Sequence, residues 1–313
     1  MKNEGRKLAR ILNITNILYI LLWLVQFLPN RTSGDTGQIA AFTVVFLSAI
    51  EVIFLLVSVF GYNKPLYTTA KSIINTVFTI LLLWILLTAK FNILSESMFP
   101  SPEIVLQQLI KDSNRLLTDS LSSLLTLCKG YLTALVLGIF LGSLAGMSKK
   151  LCSSLTYITS FLKMIPPIVY IPYAIACLPY YSMVATFVIF MASFWPIFSS
   201  TFAGVSSVEK QYLDSAAVLN VSVFSRIIHI ILPASLSEIF IGCNQGLAYS
   251  FILLTSAEMI GGSSGIGYYI KYYSDFGDFK RIIVGILVIG VIISLLTFLI
   301  NKLEKYLLRW RAE

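Results

Sequence analysis

Uncharged apolar runs of about twenty residues recur along the chain, each long enough for a helix to cross roughly 30 Å of hydrocarbon. The pattern predicts spans over 9–28, 39–62, 72–89, 121–147, a broken stretch 151–178, 183–204, 234–260 and 282–300. Because these runs are continuously apolar and not alternating, a transmembrane β-barrel is excluded. The chain reads as an all-α, polytopic membrane protein with about eight transmembrane helices. The outer segment 90–120 holds Pro100, Ser101 and Pro102, then Ile104, Val105, Leu109 and Ile110. It reads either as a turn followed by a short amphipathic helix on the interface or as a solvated spacer.

Composition agrees. With 57% hydrophobic and 12% charged residues and a mean hydropathy of +0.84, the chain stands far from the roughly 45–50% apolar and 25% charged of soluble domains. The net charge of +8 is no nucleic-acid footprint, because the charges sit mostly between and beside the spans. With both termini inside, fourteen Lys and Arg fall on inner segments and seven on outer ones, with Lys129 and Lys163 in or near the membrane. The positive-inside rule then puts both ends in the cytoplasm. The first run is too long for a signal peptide and no A-x-A-like site follows, so it is read as part of the mature protein.

Catalytic chemistry is sparse. Cys128, Cys152, Cys177 and Cys243 form no CxxC pair, and His229 is the single histidine, so a His-rich metal site or a Ser-His-Asp triad of the usual kind has almost nothing to build from. No P-loop sequence occurs, so any ATP chemistry must belong to a separate chain. The chain is read as non-catalytic, with no metal and no cofactor of its own.

The inner segment 206–233 is long, helix-compatible and needs no span, and loops of that length are usually functional. It carries Asp214-Ser215-Ala216-Ala217-Val218-Leu219-Asn220 and, nine residues later, Ile230-Ile231-Leu232-Pro233. Two short helices around a turn are predicted. The small residues Ser215, Ala216 and Ala217 leave a surface that another protein can approach, Asp214 near a helix start can meet the dipole, and Asn220 tolerates the left-handed turn conformation. Val223, Ile227, Ile228 and Ile231 then fall at helical spacing, and Pro233 starts the next span.

That spacing resembles the EAA motif of bacterial binding-protein-dependent ABC transporter permeases: Glu-Ala-Ala, three residues, Gly, nine residues, Ile-x-Leu-Pro. Asp214 stands for the Glu, Ser215 for the first Ala and Asn220 for the Gly, while Ala216, Ile230, Leu232 and Pro233 are kept. The resemblance implies a coupling segment that docks on an ATP-hydrolysing subunit. It also implies the type I importer fold, a core of six helices here preceded by two extra ones. Its expected partners are ABC ATPase subunits holding ATP and Mg, a second permease copy, an extracellular substrate-binding lipoprotein or periplasmic protein, and the lipid bilayer of the bacterial cytoplasmic membrane. No nucleic acid is involved. Domains are then read as a two-helix extension over 1–70, the first core helix and outer segment over 71–115, the permease core over 116–303, and a cytoplasmic tail over 304–313.

Further residues resemble the sulfonate, nitrate and taurine branch: Phe99-Pro100-Ser101-Pro102, Ser122, Lys129-Gly130, Ile165-Pro166-Pro167, Ile171-Pro172, Phe194-Trp195-Pro196, Ala257-Glu258-Met259, Gly265-Ile266-Gly267 and Trp310. The residues make mechanical sense by themselves. Gly138, Gly142 and Gly146 form a small-residue face for close packing in lipid. Pro166, Pro167 and Pro172 cannot sit in one smooth helix, so the stretch 151–178 must kink or unwind, and broken helices often line a pathway. The stretch 261–267 reads as a flexible outer turn. Glu51, Lys129, Glu238 and Glu258 are ionisable residues within spans, which must face a cavity or a partner. The resemblance makes Trp195, Glu258 and Lys129 path or gate candidates. Glu258 could instead be a plain structural or interfacial residue, and Lys129 could attract an anion or merely pair with a carboxylate such as Glu258. The function expected is ATP-driven import of a small, anionic solute; the alternative is a secondary transporter not coupled to ATP.

Overall fold

The structure, a computed structural model, describes residues 14–26, 28, 44–45, 47–52, 54–55, 65–147 and 149–309. Among the described residues there is no strand, in line with the need of lipid-exposed backbone to satisfy itself within a helix. Among the described residues five helices are long and apolar enough to cross a membrane: Tyr67–Lys90, Ser113–Gly146, Tyr181–Ser206, Phe224–Gly261 and Phe279–Leu307. Each contains one of the predicted spans, except that Ser113–Gly146 stops one residue short of the span 121–147. Shorter helices represent the first run and the broken stretch. The run 39–62 lies largely outside the described residues, as do Trp310 and the side chains of Lys163 and Ala217.

The chain divides into two units, the first formed by residues 1–113 and 273–284. Here α1 (Ile14–Gln26) packs on α2 (Pro65–Ile85), whose end widens into a π-turn, Leu86–Lys90, and α3 (Pro102–Lys111) follows. Leu22, Val25, Phe78, Ile85 and Ala89 form much of the buried seam, held in lipid by close contact and not by release of water. Lys90, predicted as an outer-loop charge, is instead buried. Its Nζ donates to the Leu28 carbonyl at 2.6 Å and reaches the Gln26 carbonyl at 3.4 Å. These are acceptors at the C-terminal end of α1, where orphan carbonyls and the helix dipole favour a cation. The outer segment is a helix with a buried edge and not a spacer: Pro102 opens α3 at N1, and Glu103, Val105 and Gln108 are buried.

The second unit comprises residues 114–272 and 285–313. Its elements are α4 (Ser113–Gly146), α5 (Lys149–Met164), a 3-10 turn (Pro167–Val169), α6 (Tyr170–Cys177), α7 (Tyr181–Ser206), α8 (Lys210–Val218), α9 (Val223–Arg226), a π-turn (Ile227–Ile231), α10 (Leu232–Gly261), α11 (Ile266–Asp275) and α12 (Phe279–Leu307). The α7–α10 pair is the spine, around a core that includes Leu127, Ile189, Ile197, Leu247 and Leu254. The predicted glycine face packs α4 on α7. A methyl group added at Gly138 would lie 2.9 Å from Ile197, and one at Gly146 2.7 Å from Val205. Two polar contacts fix the other helices. The Tyr131 hydroxyl donates to the Cys243 carbonyl at 2.9 Å, and the Asn244 amide donates to Asn301 at 3.1 Å. On α12, Ile286, Val291, Leu295 and Phe298 remain exposed, an apolar face suited to lipid.

Candidate functional site

α8 ends where the sequence predicts a turn. Asn220 takes the left-handed conformation, φ +51°, and the Val221 N–H bonds back to the Ala216 carbonyl at 3.1 Å. This bond closes a helix around a left-handed residue, usually Gly and sometimes Asn. Ser222 starts α9: its Oγ accepts from the Ser225 N–H at 3.3 Å, and its carbonyl accepts from the Arg226 N–H at 2.9 Å. The predicted pair of short helices is present. Two expectations about it change. α8 begins at Lys210, so Asp214 lies in the second turn and does not meet the N-terminal dipole. Ala216 is 2% exposed, packed within its own chain and not offered to a partner.

What the elbow presents outward is apolar: Val218, Leu219 and Phe224 are 81%, 76% and 73% exposed. Ser215 is exposed and donates to the Gln211 carbonyl of its own helix at 2.8 Å. Ile230, Leu232 and Pro233 are half-buried where the elbow joins α10. Sequence reasoning passed over Val218, Leu219 and Phe224. Their signal was three apolar residues beside a turn in a polar segment, but spacing alone does not tell inward from outward.

The predicted helix break falls at Pro166 and Pro167. Pro166 is extended, ψ 118°, and Pro167 opens the 3-10 turn. Pro172 breaks nothing, because it is the third residue of α6, where backbone N–H groups have no intrahelical partner to lose. The break lines a cavity of about 430 Å³ together with Tyr170, Trp195, Gln245 and Tyr249. Pro166, Pro167 and Trp195 thus meet around one space. Lys129 does not line it and stands exposed on α4, between the exposed Leu125 and Leu132.

At the far end of α10, Glu258 is 4% exposed. The Ser123 hydroxyl donates to its Oε1 at 2.7 Å and the Gly267 N–H to its Oε2 at 2.8 Å. The Ile266 N–H donates in turn to the Ser123 oxygen at 3.0 Å. Both N–H groups belong to the first turn of α11, whose orphan donors favour an acceptor. Beside them, Asp119 accepts from the Gly265 N–H at 3.3 Å and Ser122 meets Ser264 at 2.8 Å. The stretch 261–267, predicted to be a flexible turn, is closed on the carboxylate. Gly265 has φ +104°, and a methyl group there would lie 2.3 Å from Glu258 Cδ. The pairing with Lys129 considered from sequence is replaced by Ser123 and backbone.

One helical run connects these features. Phe224–Gly261 spans 38 residues, about 57 Å at ~1.5 Å per residue, with the elbow junction at one end, Gln245 and Tyr249 along it, and Glu258 at the other.

Residues 134–312, which include all three features except Ser123 and its neighbours on α4, match the model of the binding-protein-dependent transport system inner membrane component family. The chain belongs to this family. It is 32% identical over 180 residues to the nitrate import permease protein NrtB of Leptolyngbya laminosa, covering 58% of this chain and 64% of that protein. It is 31% identical over 192 residues to the bicarbonate transport system permease protein CmpB of Synechococcus elongatus, covering 61% and 69%. A probable ABC transporter permease of Brucella abortus is 30% identical over 232 residues, covering 74% of this chain and 91% of that one. The match thus spans less than two thirds of the nitrate permease.

Proposed function

We propose that this chain is the transmembrane subunit of an ATP-binding-cassette importer that carries a small oxoanion across the bacterial cytoplasmic membrane, with both termini in the cytoplasm. The observation that carries the reading is the elbow. Val218, Leu219 and Phe224 form an exposed apolar surface on two short helices whose geometry is fixed by Asn220, and such a surface calls for a partner groove. That partner is a separate ATPase subunit, which holds ATP and Mg. A second permease copy and an external binding protein complete the assembly.

The nitrate and bicarbonate relatives support the substrate class. So does the cavity: Tyr170, Trp195, Gln245 and Tyr249 supply uncharged hydrogen-bond donors in an apolar wall. Neutral donors hold an anion weakly enough for it to leave, which a path requires. On this reading Lys129 stands off the route. ATP-driven closure of the ATPases shifts the elbow, and the continuous helix carries the shift past the cavity to Glu258. The work done equals the difference in ATPase binding between the two membrane states.

The test is nitrate uptake by proteoliposomes that contain the chain with a cognate ATPase and binding protein. ATP-dependent uptake that Leu219→Asp abolishes supports the reading. Uptake that proceeds without ATP would replace it with a secondary transporter.

A further inference from the structure

The helix that leaves the elbow is not uniform. Between α9 and α10 lies the π-turn Ile227–Ile231, closed by the Leu232 N–H bonding to the Ile227 carbonyl. One residue later comes Pro233. In a regular α-helix the ring of Pro233 would press on the carbonyl of His229, four residues back, and no N–H would be present to bond to it. Widening the preceding turn relieves that clash, and single π-turns inside helices recur at functional positions. The chain's one histidine supports the same turn. His229 Nδ1 lies 3.1 Å from the Ser225 carbonyl oxygen and 3.3 Å from Ser225 Oγ. The contact with the carbonyl requires the proton on Nδ1.

A π-turn holds one residue more than the α-turn it replaces. Reverting it to α-helix would add one residue of winding, about 100° of rotation and ~1.5 Å of rise. The elbow face bearing Leu219 and Phe224 would then turn away from its present bearing relative to Gln245 and Tyr249 on α10.

We propose that Pro233, through the π-turn Ile227–Ile231, sets the rotational register between the elbow and α10, with His229 as a positioning residue that braces the turn. The inference rests on the transporter reading for its consequence but not for its geometry. It assigns the Pro of the Ile-x-Leu-Pro stretch a task that simple helix initiation would not need, because the helical run continues unbroken through it from Phe224 to Gly261.

The register can be read directly. Spin labels at Phe224→Cys and Tyr249→Cys, two exposed positions on either side of the turn, are placed in a chain with its four native cysteines replaced by alanine. Pro233→Ala is expected to shift the label-to-label distance by several ångströms. Deleting Ile228 in the Pro233→Ala background removes the extra residue and is expected to restore the original distance. In proteoliposomes with the ATPase, solute moved per ATP should fall about tenfold in Pro233→Ala and return to within about twofold in the deletion variant, a tenfold change being ~1.4 kcal/mol. An unchanged distance in Pro233→Ala overturns the assignment of the turn to the proline. A shifted distance with unchanged coupling overturns the register role. If the distances shift and recover as expected while the unmodified chain couples to no ATPase, the transporter reading falls and the joint remains.

Discussion

Ser123 and Glu258, 135 positions apart, are joined by a 2.7 Å hydrogen bond in which the serine hydroxyl donates to the carboxylate, and the same serine oxygen accepts from the backbone of α11. One hydroxyl therefore ties α4, α10 and α11. Replacing it with a methyl group leaves the Glu258 Oε1 and the Ile266 N–H without that partner in a buried place, at a cost of about 1–3 kcal/mol. Ser123→Ala is expected to lower the thermal stability of the purified chain and to raise maleimide labelling of a cysteine placed at the buried Ile266. Equal labelling with and without Ser123 would show that the contact latches nothing.

Gly265 gives an independent test of the latch. With φ +104° and Glu258 Cδ 2.3 Å from where a methyl would be, Gly265→Ala should be more damaging than Ser123→Ala. Gly277 also has positive φ, +67°, but nothing lies within 4 Å, so Gly277→Ala meets only the backbone penalty of about 1 kcal/mol. The comparison is made by thermal unfolding in one detergent. Equal losses would mean that the space around Gly265 is not filled.

Asn220 decides the elbow's shape. A β-branched residue in the left-handed conformation costs roughly 1–2 kcal/mol or more, whereas glycine takes it freely. Asn220→Gly should keep ATPase co-purification and Asn220→Val should weaken it, measured by pull-down at matched expression.

The elbow's inward and outward residues should respond differently. Leu219→Asp changes an exposed position and is expected to abolish ATPase co-purification with little loss of thermal stability. Ala216→Arg forces a long cation into a buried site, so the chain itself should lose stability. Loss of ATPase binding by Ala216→Arg in a fully stable chain would contradict the packing described for α8.

Glu103 predicts a pH dependence. Burial raises its carboxyl above the ordinary value of 4.5, outweighing the attraction of Lys90. The folded chain then holds this proton more tightly than the unfolded one. The group's contribution to stability is fullest below 4.5 and declines as pH rises toward the higher folded value. Glu103→Gln should flatten that decline, and melting curves between pH 4 and 7 in detergent would show it. A stability that rises with pH over this window only when Glu103 is present would reverse the sign and refute the burial argument.

Much of this was legible in the sequence. The spans at Ser72–Ala89 and 183–204 followed from hydropathy, which acts on each segment by itself. The turn at Asn220 followed from a local backbone preference, and the break at Pro166 and Pro167 from a missing N–H and a rigid φ, a rule that also named Pro172, which sits in the first turn of α6 and breaks nothing. The partners of Lys90 and Glu258 were not legible because they lie elsewhere in the chain. Lys90 caps α1, more than sixty residues back, and Glu258 is held by Ser123 and the start of α11. Ala216 is buried and Leu219, three residues on, is exposed, a difference that depends on what packs against the helix and not on local spacing.

By itself, then, the sequence determined that the chain is helical, membrane-embedded, broken within the proline-rich stretch 166–172 and bent at one elbow, since hydrophobicity and backbone geometry are properties of neighbouring residues. The tertiary structure alone decided which polar groups meet, at Glu258 as at Lys90. Hydrogen bonds are short and directional, and only the packed helices set which distant donors come within about 3 Å.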